Sequence, residues 1–156
     1  MLSTLTLIQN ALTAGMTAGH SVSDDFYVKT WYTGDPHALP NIETPAGAVI
    51  PSTPSSRDWV GYQGLDDIKE TIKIRFYQPA YRKAMEAAEI TAGMTRLVSM
   101  CDQAEIILRT DPTFAAVLVY SRIINIDYEL SGIAEANVYR IAEMIIEVQR
   151  QAIWGQ

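Results

Sequence analysis

Cysteine is nearly absent: Cys101 stands alone in 156 residues. One thiol makes neither an internal disulfide nor a cysteine zinc site, and a lone cysteine fits a reducing compartment. Histidine is scarce too, with only His20 and His37. Positive charge is thin at the front, where Lys29 and Arg57 are the only Lys and Arg among the first 60 residues. The 12 Lys and Arg against 18 Asp and Glu leave a net charge of -6. That balance argues against a general nucleic-acid binder, which carries a basic face. It suits a protein that must not adhere to DNA or RNA. No apolar run approaches the length of a membrane span, AAVLVY at 115–120 being among the longest. The lack of any Lys or Arg before Lys29 removes the positive segment of a secretory leader. Leu5, Ile8 and Leu12 recur at helical spacing, so an amphipathic helix is expected there instead, starting after Ser3 and fading near Gly15.

Catalytic signatures are missing as well. There is no Gly-rich phosphate loop, HExxH, paired CxxC or GxSxG, and Gly61 and Gly64 do not form a nucleotide fingerprint. His20 precedes Asp24 and Asp25, and His37 follows Asp35, but a metal needs three or four convergent ligands. Both groups read as solvated turns. Asp66, Asp67 and Glu70 could do acid–base work or bind a hard cation. Interleaved with Lys69 just before a strand, they too read as a turn. Cys101 lies on an apolar helical face and reads as a small buried hydrophobe. The expectation is therefore no catalytic residue, no metal and no cofactor. The rival from another class is a small metal enzyme built on His20, Asp66 and Asp67.

What is present is one domain's worth of chain, 48% hydrophobic, enough to bury a core. DDFYVKTWYTG (24–34) reads as a strand closed by Gly34. TIKIRFYQP (71–79) alternates cleanly and reads as a half-buried strand ended by Pro79. Residues 81–110 carry Ile90, Met94, Leu97, Cys101, Ala104 and Leu108 on one helical face, closed before Pro112. Within that helix Gly93 implies a close approach or a bend. AAVLVYSRIINIDYEL (115–130) reads as a long strand. Its pattern places Leu118, Tyr120, Ile124, Ile126 and Tyr128 on one face, and Val117, Val119, Ile123, Asn125 and Asp127 on the other. Fourteen such residues span roughly 46 Å, so this strand should project from the body. Residues 137–154 fit a returning strand, although Val138, Ile141, Ile145 and Val148 also fit a helix. The long strand needs a partner, which favours the strand. The sum is a single α+β domain over 1–156: a mixed or antiparallel sheet with one long helix on one face, an N-terminal helix and a long β-hairpin.

One stretch resists this reading. Residues 33–58 hold five of the seven prolines and read as an extended arm, with 48–50 a short edge strand stopped by Pro51. A pre-stiffened arm loses less entropy on docking. It carries Leu39, Ile42, Val49 and Ile50, which a solvated linker would not need. Trp31 and Tyr32 precede it, Trp59 follows it, and Trp154 sits near the last residue. Core packing and interface anchoring both suit these aromatics. Together the eight form a candidate oligomer interface. Pro51-Ser52-Thr53-Pro54 matches PxxP, which leaves a proline-recognition ligand as a further rival.

The order of these segments resembles the tail terminator, or tail completion, proteins of long-tailed bacteriophages. STLTLIQNAL is similar to their opening helix, and TIKIRFYQPAY to the strand after a long irregular connection. RLVSMCDQAEIILRTDPTF is similar to their helix, and AVLVYSRIINIDYEL with the following segment to their closing hairpin. The likeness spans nearly the whole chain and rests on layout rather than on an invariant motif. It implies a non-enzymatic virion protein with no catalytic residues, assembled in the host cytoplasm and placed in the tail or neck. It implies a homo-oligomeric ring, a hexamer, that caps the finished tail tube and joins it to stopper or connector proteins. DNA would pass through the lumen without specific binding. Other neck components, such as a stopper or head-completion connector, are the nearest alternative.

Overall fold

A computed structural model describes residues 2–36, 39, 43–60, 65–80, 87–133 and 137–153. Its elements are α1 (Leu2–Met16), β1 (Thr30–Thr33), β2 (Ala46–Val60), β3 (Leu65–Ala80), α2 (Ala87–Thr110), β4 (Tyr120–Ile133) and β5 (Asn137–Ile153). The five strands make one sheet in the order β1-β2-β3-β5-β4, parallel only between β1 and β2. The fold is α+β with a mixed sheet, as the segment order implies.

Both helices cover one face. Leu5, Ile8, Leu12 and Met16 of α1 are buried, at the three- and four-residue steps that put them on one stripe. Leu97, Met100, Cys101, Ala104 and Leu108 do the same for α2. They pack on Ile72, Ile74 and Phe76 of β3 and on Ala142, Met144, Ile146 and Val148 of β5. A second, smaller cluster lies on the opposite face: Ala46 and Ala48 of β2, Tyr77 of β3, Tyr139 and Ile141 of β5, and Leu39. Strand β5 thus buries apolar side chains on both faces near 139–142, Tyr139 and Ile141 on one and Ala142 on the other. Burial on both sides makes a run of apolar residues that imitates helical spacing, which is why 137–154 fits two patterns.

The proline arm divides into two structures. Its first part, 34–45, connects parallel neighbours. Two adjacent parallel strands need a crossover of about a dozen residues, because the chain must return to the same end of the sheet. Here the crossover places Leu39 in the second cluster, only 3% exposed. Its remaining part is strand. β2 does not stop at Pro51 but runs to Val60, paired with β3 down to Val60↔Leu65. Pro51 is tolerated because β1 pairs with β2 only as far as Val49, so beyond it β2 is an edge strand. Pro54 falls in the register shift between Ser52 and Ser56.

Other boundaries shift for identifiable reasons. The first strand is only Thr30–Thr33, because the chain from 17 to 29 is a turn region tied back by Val28 N–H to Met16 O (3.2 Å). β3 begins at Leu65, so Asp66, Asp67 and Glu70 are strand residues rather than a solvated turn. β4 starts at Tyr120, since Phe114, Ala115 and Ala116 adopt positive φ and turn the chain beforehand. Its faces also differ from simple alternation. A bulge between Ile123 and Asn125 reverses the parity. Ile123 and Ile126 both pack on the helix-side core, while Ile124 is 54% exposed.

Gly15 is where α1 meets α2: a Cβ there would lie 2.5 Å from Ile107 Cδ1. Gly93 has no such duty. A Cβ would come no closer than 3.7 Å to Arg140 Cδ. Gly93→Ala is therefore expected to stabilise the chain by about 0.5–1 kcal/mol, raising the thermal midpoint by about 1–4 °C. A lower midpoint in a differential scan would show that helix packing at Gly93 is closer than this.

Candidate functional site

The eight candidate interface residues do not form one surface. Leu39 and Val49 lie inside the subunit, Val49 fully buried in the helix-side core, so neither offers surface to a neighbour. Trp31 is half-buried and fixed from three sides. Its indole N–H donates to Thr17 Oγ1 (3.0 Å), and its edge meets Phe76 with ring centroids 5.8 Å apart. Its ring also covers Gly47, where a Cβ would come within 2.5 Å. Tyr32 and Ile50 pack half-buried against the second cluster. Trp59 pairs through its backbone with Asp66 in the β2–β3 ladder. Ile42, Trp154 and the side chain of Trp59 lie outside the described residues.

The face away from the helices carries a continuous ion-pair network. Glu143 of β5 receives Arg75 Nε at 2.6 Å and Lys73 Nζ at 2.9 Å, both from β3. Arg75 reaches on to Asp35 at 3.1 Å, at the root of the crossover, and Tyr77 Oη donates to Asp35 Oδ1 at 3.1 Å. The Tyr139 hydroxyl donates to the Leu39 carbonyl. These contacts pin the start of the proline segment to the sheet. Farther along, Glu147 accepts from Tyr120 Oη at 2.7 Å and from Arg122 at 2.9 Å. Burial raises the Tyr77 pKa, and the Asp35 charge adds to it.

Burial alone would raise the Glu143 pKa, but hydrogen bonds from Lys73 and Arg75 and their charges outweigh it and hold it below the usual glutamate value. For Glu147 the Tyr120 hydrogen bond is the main lowering cause, against partial desolvation and aided by Arg122. A carboxylate whose pKa is lower folded than unfolded stabilises fully above its unfolded value, near 4.5, and loses that contribution as pH falls through the folded value. Chain stability is thus expected to decline below about pH 4.5. Glu143→Gln should cost about 1–2 kcal/mol at neutral pH and flatten that acid slope. Urea midpoints measured from pH 3 to pH 7 test it; an unchanged slope in the variant would remove Glu143 from the effect.

Little on the helix side invites chemistry. Cys101 is buried, and burial pushes its thiol up to about 11. It faces Tyr128, whose own pKa rises to about 12, chiefly by desolvation. His20 Nδ1 lies 3.3 Å from Asp24 Oδ2 in the 17–29 turn, whereas Asp66 and Asp67 belong to β3. Among the described residues no group of three or more His, Cys, Asp or Glu is placed to hold a metal. No described helix is long and apolar enough to cross a membrane.

What the sheet offers instead is length and open edges. β3 has 16 residues and β5 has 17, roughly 55 Å each at 3.3 Å per residue. They pair along their full lengths, from Leu65↔Ile153 to Ala80↔Val138. The β2–β3 turn lies at the end where β5 finishes, and the β4–β5 turn at the end where β3 finishes. Two hairpins therefore point in opposite directions, where the sequence pattern implies one. β4 pairs with β5 only as far as Gln149, and β2 with β3 only as far as Tyr77, so the sheet narrows toward the tip of each hairpin. Both the outer edge of β4 and that of β2 past Val49 lack a strand partner among the described residues. Among the described residues, exposed large apolar side chains occur at Val98 and Ile106 of α2, at Val117 and Val119 of the link, and at Ile124 and Tyr128 of β4. Their spacing does not distinguish them from core residues, and the β4 bulge hides Ile124 from a period-two reading. The sequence matches no family model and no curated protein.

Proposed function

We propose that the chain is a structural subunit of a ring-shaped assembly, and specifically a bacteriophage tail terminator. The observation that carries this reading is the pair of long hairpins leaving opposite ends of one sheet. A core of this size is built from strands of five or six residues, so the extra length serves contacts outside the subunit. An open edge at β4 and another at β2 lie on opposite sides of the sheet. Contacts between unlike surfaces are head-to-tail, and head-to-tail contacts make a ring where the rotation between neighbours closes. Exposed apolar side chains on α2, the link and β4 are of the kind that a neighbouring subunit can cover. The layout also agrees with the resemblance to tail terminators, which adds the role: capping the tail tube and joining it to stopper or connector proteins. Net charge of -6 suits a lumen that lets DNA pass without adhesion.

Light scattering with negative-stain imaging of the same peak tests the assembly. The expected particle is a ring with a mass about six times the 17.3 kDa chain, seated on the end of tail tubes when these are added. A chain that stays monomeric at high concentration and on added tubes would overturn the reading. A monomer holding one metal ion per chain would replace it with the enzyme.

A further inference from the structure

We infer that the link between α2 and β4, residues 111–119, is a switch segment that zips onto the open end of β5 when the chain meets a neighbouring copy. The trigger rests on the ring reading; the switch itself does not. Three observations meet in this segment. Phe114, Ala115 and Ala116 follow one another with φ of 48°, 55° and 66°. Residues with a Cβ enter that left-handed region singly, not as runs. Such backbone persists only where its surroundings hold it, and it concentrates at segments that switch. Val117 and Val119, just beyond, are 62% and 44% exposed, although valine favours strands. β5 runs on to Ile153, whereas β4 pairs with it only as far as Gln149. The β4 side of residues 150–153 therefore has no strand beside it among the described residues.

The hydrogen bonds show how the link is held and where it can go. The Asp111 carboxylate accepts from Ala115 N–H at 2.7 Å and from the Thr113 hydroxyl at 3.1 Å, and Thr113 Oγ1 accepts from Ala116 N–H at 3.3 Å. Val117 N–H donates to Phe114 O at 3.2 Å, and Leu118 N–H to Thr113 O at 2.9 Å. Val119 N–H already donates to Gln149 O at 2.7 Å, a first rung ahead of β4. Two-residue steps from that rung bring Val117 N–H to Gln151 O and Ala115 N–H to Ile153 O. Each amide exchanges one acceptor for another, so the hydrogen bonds nearly cancel between the two forms. Relief of the left-handed run and cross-strand neighbours for the two valines favour the strand. Burial of Phe114 and Leu118, 7% and 4% exposed, favours the turn. These opposed contributions leave a small gap. A neighbour packed along the added strand finds that surface only in the zipped form, which is the differential contact a switch needs.

The test is amide hydrogen exchange together with ¹³C chemical shifts on the full labelled chain, wild type beside Asp111→Ala and Ala116→Val. Asp111→Ala removes the clamp and lies outside the added strand. Ala116→Val makes left-handed backbone costlier and favours extension. Both variants are expected to move the shifts of residues 115–119 to extended values and to slow the Val117 amide about tenfold or more. Left-handed or random-coil shifts there in both variants would overturn the switch, whatever the mass of the particle. Ala115→Gly combined with Ala116→Gly should act the other way. The turn is relieved, the thermal midpoint rises by about 2–8 °C, and ring formation needs about fivefold more chain. A glycine pair that assembles as readily as wild type would overturn the coupling to neighbours. Absence of rings from wild type and every variant strikes the ring reading, and the exchange result then decides the switch alone.

Discussion

Leu39→Ala is expected to destabilise the chain by about 2–4 kcal/mol, a core-like loss from a residue set among prolines. A solvated arm would lose no more than about 0.5 kcal/mol at such a position. The difference follows from the topology. Leu39 fills the second cluster on the far face of the sheet, with Tyr77, Tyr139 and Ile141 around it. Its carbonyl also accepts from the Tyr139 hydroxyl. Truncation leaves a cavity between the crossover and the sheet, and the pinning by Asp35 limits how far the segment can collapse into it. Urea unfolding of Leu39→Ala beside Leu39→Met separates the cases, since the methionine keeps volume and should cost under about 1.5 kcal/mol. A loss below 0.5 kcal/mol for the alanine variant would return this segment to the role of a free arm.

The layers and most strands were legible because they follow from short-range rules. Ile72, Ile74 and Phe76 alternate against Lys73 and Arg75, and the structure puts the apolar set under the helices and the charged set in the ion-pair network. The stripe from Leu97 to Leu108 is likewise a matter of spacing. What was not legible depends on neighbours in space. Pro51 breaks a strand that has partners on both sides, but β2 has only one partner there, and nothing local announces that. The Ile124 bulge inserts one residue and reverses every later side chain of β4, so a parity assignment correct at Ile123 fails by Ile126. Asp66 to Glu70 look like a turn because they are polar, yet the ladder continues through them.

The candidate interface was harder still. Leu39 and Val49 are apolar among prolines, which fits either an external anchor or an internal plug; only the crossover geometry decides for the plug. The exposed apolar positions carry ordinary core-type residues, and exposure is a property of what is absent beside them. Val98 and Leu97 are neighbours in sequence, one 39% exposed and one buried, because α2 turns 100° between them.

Arg150→Met is expected to cost about 3 kcal/mol, while Glu70→Leu together with Arg150→Met should be close to neutral. Glu70 is 3% exposed in the sheet, and Arg150 reaches its two carboxylate oxygens at 3.3 and 3.5 Å. The pair crosses diagonally between β3 and β5, where Glu70 faces Val148 in register. Removing the arginine takes its cationic partner from a carboxylate in a dry place, whereas removing both leaves apolar side chains there. Arg150 keeps a quarter of its side chain in water, so Glu70→Gln should cost less than Arg150→Met, about 1 kcal/mol. Denaturant midpoints of the three variants give the comparison; two single losses below about 0.5 kcal/mol would mark the pair as a solvated contact. On the proposed ring reading the pair would also bear on assembly, because it sits where β4 stops pairing with β5 at the base of the β2–β3 hairpin. A double variant that folds with wild-type stability yet forms no ring would place the function of this pair in stiffening the base of that hairpin, apart from any role in folding.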